Sequence, residues 1–153
     1  MSKRLMKQLL PFFLSFLLLA GCSEKPTSNA HWGTPEHIAT EFFHALYNEK
    51  DLDKAKSYST AEFASLLEAY VTPRQVARTL LNMSYDEVTI EVNRSGQNLR
   101  QQYDDDADVT LIFSGQFNGK KVDNMRTVQM IKKSGKWLVH SVKIDRFSNT
   151  ASY

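Results

Sequence analysis

Cysteine, glycine and proline are scarce: the 153 residues contain one cysteine, six glycines and four prolines. The single cysteine excludes an internal disulfide and a metal site built from several cysteines. The glycines form no phosphate-binding loop. They also form no Gly-x-Ser-x-Gly turn, since Ser114 precedes Gly115 but no glycine stands two residues before that serine. The sequence therefore lacks the motifs of P-loop nucleotide-binding proteins and of serine hydrolases.

Acidic residues are absent from the first 21 positions, which carry Lys3, Arg4 and Lys7. Without these positions the chain has 16 Lys and Arg against 17 Asp and Glu, a formal charge of −1 instead of +2. Near-neutral charge without a basic run argues against a nucleic-acid partner. With 42% hydrophobic and 11% aromatic residues, the chain is expected to fold. The 132 residues from Cys22 onward are the length of one ordinary domain.

Residues 1–21 are predicted to be a secretory signal peptide. The basic start precedes an apolar stretch from Leu9 to Ala20, interrupted by Pro11 and Ser15. This stretch is short for a transmembrane helix, because crossing the ~30 Å hydrocarbon layer takes about 20 apolar residues. The segment is therefore set apart from the reasoning about the fold.

The end of this segment, Leu19, Ala20, Gly21 and Cys22, resembles the lipobox of bacterial lipoproteins. The resemblance implies cleavage before Cys22, a diacylglycerol thioether on its thiol, and an amino terminus acylated by a chain such as palmitate. Several acyl chains together make a lasting membrane anchor, whereas one binds only marginally. The alternative is an ordinary signal peptide that leaves a free thiol.

The residues after Cys22 predict a tethered domain. By the sorting rule of Gram-negative lipoproteins, Ser23 in place of aspartate implies the periplasmic face of the outer membrane. Residues 22–33 have no apolar period and several helix breakers, which predicts a lipidated flexible tether. We expect one domain over residues 34–147 and a polar tail over 148–153.

Four helices are predicted in the first half of the domain. The first has apolar residues at helical spacing, with Phe42 and Leu46 on the buried face. A polar cap begins each helix, and for the third helix it is part of a capping box. The predicted starts are Thr34 with Pro35, Asp51, Ser59 with Glu62, and Thr72 with Pro73.

After Tyr85 the apolar period changes from about four to two, which indicates strands. Polar residues alternate with apolar ones from Val88 to Val92, and turns are predicted at Asn118–Gly119 and at Ser134–Gly135. Four helices followed by at least four antiparallel strands predict an α+β fold, in which the N-terminal helices pack on a curved antiparallel sheet.

Three segments resemble the nuclear transport factor 2-like (cystatin-like) superfamily: residues 34–46 (TPEHIATEFFHAL), the short acidic helix with Asp51 and Ala55, and residues 135–139 (GKWLV). The resemblance covers about residues 34–146 and is nearest to small bacterial lipoproteins with such a domain. It implies a cone of helices on a curved sheet. Members of the superfamily include isomerases, dehydratases, binding proteins and assembly partners, so the fold does not select a function.

His140 is the main candidate for chemistry. Leu138, Val142 and Ile144 share its side of the last predicted strand, so we expect all four residues to face the helices. A histidine in an apolar pocket there would serve as a general acid or base. The alternative is a histidine in the core or the pocket wall, satisfied by one hydrogen bond.

Three tyrosines complete the candidate pocket: Tyr58, Tyr70 and Tyr103. They are included because the isomerases of the resembled superfamily use a tyrosine and carboxylates in an apolar cone. No tyrosine and aspartate here match that arrangement, so no catalytic residue is assigned.

Two polar clusters are predicted to hold no metal. Asp104, Asp106 and Asp108 have the first three ligand spacings of a calcium loop, but the glycine and the glutamate that complete such a loop are missing. A solvated acidic loop is therefore expected.

On the first helix, His37, Glu41 and His44 share one arc, but seven residues separate the histidines by about 10 Å. A solvated polar face is expected there. No cofactor is predicted.

The main functional hypothesis is a lipid-anchored envelope domain that binds a small apolar ligand or a protein partner without catalysis. One alternative is an isomerase or hydratase that uses His140. Another is an envelope assembly protein that acts through an exposed sheet face bearing Thr89, Glu91 and Arg126.

The anchor generates the first prediction. Replacing Cys22 with Ala should abolish lipidation and normal processing, because this thiol is the only acyl acceptor that the motif offers. Intact-mass analysis of membrane fractions from cells expressing each form measures the outcome. A dominant mature wild-type species without acyl chains would contradict the lipoprotein interpretation.

Overall fold

The computed structural model describes residues 33–94, 102–103 and 105–143, with the side chains of 102 and 103 excluded. The predicted signal peptide and most of the tether lie outside this part of the chain, as do Leu19, Ala20, Gly21 and Cys22. The same holds for the predicted tail and for Ile144. Within the described part, no helix is long and apolar enough to cross a membrane.

Helix α1, Pro35–His44, begins as predicted. The Thr34 side chain accepts a hydrogen bond from the backbone N–H of His37 at 3.3 Å, and Pro35 occupies the first helical turn. The helix continues as a π-helical turn, Ala45–Glu49, and ends at Lys50 in the left-handed region (φ 58°). This end of α1 is therefore wider than an ordinary α-helix.

Two short helices follow. Asp51 caps α2, Leu52–Ser57, and its Oδ1 accepts from the Lys54 N–H at 2.9 Å. The cap of α3, Ala61–Glu68, is Thr60, whose Oγ1 accepts from Phe63 N–H at 3.3 Å. The prediction of Ser59 as this cap is wrong by one residue. Both residue types cap helices, and Thr60 is held in place because its N–H bonds to the Val139 carbonyl at 2.9 Å.

Helix α4, Pro73–Gln75, begins at the predicted cap Thr72, whose Oγ1 accepts from the Gln75 N–H at 3.2 Å. It continues directly as a second π-helical turn, Val76–Leu80. Just before it, Val71 adopts φ 65° with 75% of its surface exposed.

The strands are β1 Glu87–Val92, β2 Gln102–Tyr103, β3 Asp106–Phe117, β4 Lys120–Lys133 and β5 Lys136–Lys143. They form one antiparallel sheet in the order β1-β3-β4-β5, and the short β2 also pairs with β3. The helices pack against one face of this sheet. The predicted α+β architecture is confirmed.

Both predicted turns connect neighbouring strands of the sheet. Asn118 and Gly119 have φ 52° and 74°, and Ser134 and Gly135 have φ 51° and 77°. Positive φ at two successive residues is the geometry that asparagine and glycine accept most readily in a two-residue hairpin.

The acidic segment before β3 is not a solvated loop. Asp106 and Asp108 belong to β3 and point away from the helices, and Asp108 accepts a hydrogen bond from Lys143 Nζ at 2.7 Å. Asp104 lies outside the described residues. The expectation of a loop was wrong because Ala107 and Val109 already alternate with the aspartates and are buried.

Arg126 is also placed differently from the prediction. It was expected on the exposed sheet face but is only 1% exposed and points toward the helices, in register with Leu111. Its Nη1 donates to the Met125 carbonyl at 2.8 Å, and its Nη2 approaches the Leu81 carbonyl at 3.5 Å. Thr89 and Glu91 are exposed, as the alternation of β1 predicts.

The second prediction concerns Phe42, on the buried face of α1. It is fully buried, 4.9 Å from the ring centre of Phe43 and 5.8 Å from that of Phe63. Truncation of Phe42 to Ala should lower the free energy of unfolding by about 3 to 5 kcal/mol, through lost burial and an unfilled cavity. Denaturant melts of the chain from Ser23 onward measure this loss of stability.

Phe117→Ala is the control. Its ring is 38% exposed, so truncation should lower the free energy of unfolding by less. A loss below about 1 kcal/mol for Phe42→Ala would contradict the assigned face of α1.

The third prediction concerns backbone strain at Val71. A β-branched residue in the left-handed region costs about 1 to 2 kcal/mol relative to the right-handed region, and this exposed side chain regains little by packing. Val71→Gly should therefore raise the free energy of unfolding by up to about 1 kcal/mol, after the greater unfolded-state entropy of glycine is included. Thr79→Gly, at an exposed site in the second π-helical turn with no such strain, should be destabilising by about 0.3 kcal/mol. Destabilisation by Val71→Gly would contradict the assigned strain.

Candidate functional site

His140 is exposed, in contrast to the buried position expected for it. Val139 pairs with Met130 and Ser141 pairs with Gln129, so His140 is an extra residue in β5, a β-bulge. The bulge shifts the alternation of buried and exposed residues along β5 by one position. Trp137 and Val139 are buried before the bulge, and Val142 packs against the core after it. The expectation that Leu138 faces the helices is therefore wrong, because Trp137 and Val139 are the buried residues before the bulge, whereas Val142 lies on the core side as expected.

His140 lines a small cavity between α3 and β5, of about 290 Å³. We call it the α3–β5 cavity, and its lining residues are Glu62, Phe63, Leu66, Leu80, Leu81, His140, Ser141 and Val142. Leu66 is 43% exposed there. The histidine thus lies beside an apolar surface, but it is itself in contact with solvent.

Two predicted pocket tyrosines lie elsewhere. Tyr58 ends α2, and its carbonyl accepts from the Val139 N–H at 2.8 Å. Burial, and to a smaller degree the Glu41 carboxylate, raises the pKa of the Tyr58 phenol. Tyr70 is half-buried against the core, and neither tyrosine lines the α3–β5 cavity. The side chain of Tyr103 lies outside the described residues.

The polar arc on α1 is partly buried. His37 is 7% exposed, which corrects the expectation of a solvated face, while His44 Nδ1 lies 3.1 Å from Glu49 Oε1. Among the described residues, no group of three or more His, Cys, Asp or Glu side chains is placed to hold a metal ion.

The larger cavity lies at the opposite end of the sheet, beside the β3–β4 turn, and has a volume of about 650 Å³. We call it the hairpin pocket. Four separate stretches of chain contribute to it. Its lining residues are Leu46, Tyr47, Lys50, Thr72, Pro73, Arg74, Ala77, Arg78, Ser84, Tyr85, Asp86, Phe117 and Asn118. Its volume falls in the usual range for small-molecule sites.

Aromatic rings form the floor of the hairpin pocket. The rings of Tyr47 and Tyr85 meet edge to face, with centres 5.5 Å apart. The Tyr47 hydroxyl donates to the Met83 carbonyl at 2.9 Å, and the Tyr85 hydroxyl accepts from Asn124 Nδ2 at 2.6 Å. Both rings are thereby held in place, and they form a floor that exists before any ligand arrives.

Gly115 allows this arrangement. A Cβ atom at this position would clash with the Glu87 carbonyl oxygen and would lie 2.9 Å from Cδ1 of Tyr85. Glycine therefore permits the close approach of Tyr85 and β1 to β3.

The floor tyrosines are neutral phenols over the whole physiological range. Burial raises the pKa of Tyr47, and Tyr85 adds to this effect while the Arg126 charge opposes it. Burial also raises the pKa of Tyr85, against the hydrogen bond from Asn124 and the charge of Arg126. The two rings thus offer an apolar surface and no negative charge.

The rim of the hairpin pocket is mostly cationic. Lys50, Arg74 and Arg78 are exposed side chains that line it, and Asp86 is the one carboxylate among its described lining residues. Asp86 Oδ2 accepts a hydrogen bond from the Asn118 backbone N–H at 2.8 Å and so stabilises the hairpin turn. Apolar floor and charged rim are the usual composition of a ligand site.

Unusual backbone is concentrated at this pocket. The π-helical turns Ala45–Glu49 and Val76–Leu80 both contribute lining residues. Lys50 and Asn118, which also line it, have positive φ. π-helical turns are rare and often occur at functional sites, so the backbone supports the same location as the side chains.

The sequence analysis missed this site. Its residues come from segments far apart along the chain, and π-helical turns leave no clear sequence pattern. The one available signal was the pair Arg74 and Arg78, four residues apart on the predicted fourth helix and so on one face of it.

Comparisons with known proteins bear on the fold alone. No family model matches the chain, and no curated protein matches it. The chain is similar to the solution structure of a SEC-C motif containing protein from Rhodopseudomonas palustris, with a TM-score of 0.56 and 17% sequence identity. The match covers 74% of this chain and 80% of that one. At this identity the likeness shows a shared α+β fold and carries no argument about function.

Proposed function

We propose that this protein is a lipid-anchored cell-envelope protein whose domain binds a small ligand in the hairpin pocket without catalysis. The observation that carries the binding role is the pocket of about 650 Å³ with an ordered aromatic floor. The anchor rests on the lipobox resemblance at Leu19 to Cys22. With Ser23 after the lipidated cysteine, the domain would stand at the periplasmic face of the outer membrane of a Gram-negative cell.

Binding is favoured over the isomerase or hydratase alternative because of where His140 lies. A general base works in a pocket that excludes water and positions the substrate. His140 is exposed on the bulge of β5. Tyr58 and Tyr70 do not share its cavity. We therefore assign His140 no catalytic role.

A blocking variant tests the proposal. Ser84 lines the hairpin pocket and is half-buried, so Ser84→Trp should fill the cavity and weaken binding of the neutral fluorescent probe N-phenyl-1-naphthylamine by at least about tenfold. The titration uses the full chain in phosphatidylcholine nanodiscs, with empty nanodiscs subtracted. Ser65→Trp, on the exposed side of α3, is the matched control and should leave affinity within about twofold.

The α3–β5 cavity is the competing location. Ser141→Trp would fill that cavity and should leave probe affinity unchanged if the hairpin pocket is the site. Loss of binding in Ser141→Trp with full binding in Ser84→Trp would overturn the assignment.

A further inference from the structure

The cations at the hairpin pocket differ in their ion pairing from many lysines elsewhere in the domain. Lys54, Lys56, Lys121, Lys133 and Lys143 each lie within 4 Å of a carboxylate oxygen. Within residues 33–94 and 105–143, Lys50, Arg74 and Arg78 form no such ion pair. Three cations are thus collected around one cavity, and among the described residues none of them lies within 4 Å of a carboxylate oxygen; Asp86, the carboxylate in the described lining, accepts from the Asn118 backbone N–H.

Their placement follows from the backbone. Lys50 stands at the left-handed end of the α1 extension. Arg74 lies in α4 and Arg78 in the π-helical turn that continues it. Like charges four residues apart on a helix repel each other. An anion between them would relieve this repulsion.

A fourth positive charge lies deeper. Arg126 is buried, and its charge lowers the pKa of both floor tyrosines against the larger opposing effect of their burial. Its field therefore reaches the floor of the pocket. A buried charge is screened by salt much less than an exposed one, so Arg126 adds a positive charge near the floor to the three cations of the rim.

The floor defines the rest of the ligand. Tyr47 and Tyr85 are ordered rings that carry no charge, and the nearby Phe117 ring is 38% exposed. Leu46 and Ala77 also line the pocket, and both are already buried. An apolar body would cover the exposed parts of the Tyr85 and Phe117 rings and remove them from water, which favours binding.

We propose that the hairpin pocket binds an anionic amphiphile, with its apolar body on the Tyr47 and Tyr85 floor and its carboxylate or phosphate head beside Lys50, Arg74 and Arg78. This inference rests on the proposed function, because it names the ligand class of the same pocket. Guanidinium groups suit both heads, since they donate two parallel hydrogen bonds to carboxylate or phosphate oxygens.

Matched eight-carbon probes test the inference by calorimetry on the full chain in phosphatidylcholine nanodiscs, with empty nanodiscs subtracted. The probes are octanoate, octyl phosphate, octanol and octylammonium. At least one anion should bind about tenfold more tightly than octanol, and octylammonium should bind more weakly than octanol. The advantage of the anion should shrink as salt is added. The stronger of the two anions identifies the head as a carboxylate or a phosphate.

Variants locate the charge effect. Arg74→Gln and Arg78→Gln should each weaken anion binding about threefold to tenfold and leave octanol binding within about twofold. Lys136→Gln removes the same charge from an exposed side chain at the β4–β5 turn, at the other end of the sheet, and should change neither affinity.

The failures of the two proposals are distinguishable. Equal binding of octanoate, octyl phosphate and octanol, unchanged in both arginine variants, would overturn the anionic ligand class and leave a binding pocket in place. Anion binding that Lys136→Gln weakens as much as Arg74→Gln does would overturn the assigned location of the head. Absence of binding by all four probes would overturn both the proposed function and this inference.

Discussion

The packing of α1 across the sheet, through the edge-to-face contact of Phe43 with Phe113, is the constraint on which the other elements depend. The two ring centres lie 4.8 Å apart at 75°, and both side chains are fully buried. Aromatic pairs in this geometry add about 0.5 to 1.5 kcal/mol to the stabilisation from burial alone. Phe42 extends the same cluster toward Phe63 of α3. Because α1 is held at this contact, its π-helical end falls beside the β3–β4 turn, where the hairpin pocket forms.

Buried polar groups then fix the segment that follows α4. The Tyr47 hydroxyl bonds to the Met83 carbonyl, and the Arg126 guanidinium approaches the Leu81 carbonyl. Buried polar groups that find partners specify one arrangement of the chain, because leaving such a group without a hydrogen bond is costly. The segment between α4 and β1 is thereby held against the sheet, and Tyr85 is placed in the floor of the pocket. The same side chains that complete the core therefore also shape the candidate site.

The far end of the sheet is organised by β5. The segment joining α2 to α3 pairs with this strand at Val139, through the Tyr58 carbonyl and the Thr60 N–H. This pairing occupies both backbone groups of Val139 on the outer side of an edge strand, which such strands otherwise present to other chains. The bulge follows at His140. The His140 side chain is exposed, and neither Tyr58 nor Tyr70 lines the cavity beside it.

Local signals in the sequence determined most of the secondary structure. Thr34, Asp51 and Thr72 cap helices because a side-chain oxygen accepts a nearby backbone N–H, and the Asn118–Gly119 turn needs only two residues that accept positive φ. These interactions span two to four residues, so they can be read from the chain alone. The alternation of β1 likewise identified its buried and exposed faces. Together these signals were sufficient for the α+β class.

Only the tertiary structure decided the features that depend on distant partners. The cap of α3 is Thr60 rather than Ser59 because the Thr60 N–H bonds to Val139. Arg126 is buried although charged, and the direction of His140 depends on one extra residue in the pairing with β4. The hairpin pocket combines the end of α1, helix α4, Tyr85 and the β3–β4 turn. No local pattern encodes such a site, because its members meet only when α1 and α4 pack on the same end of the sheet.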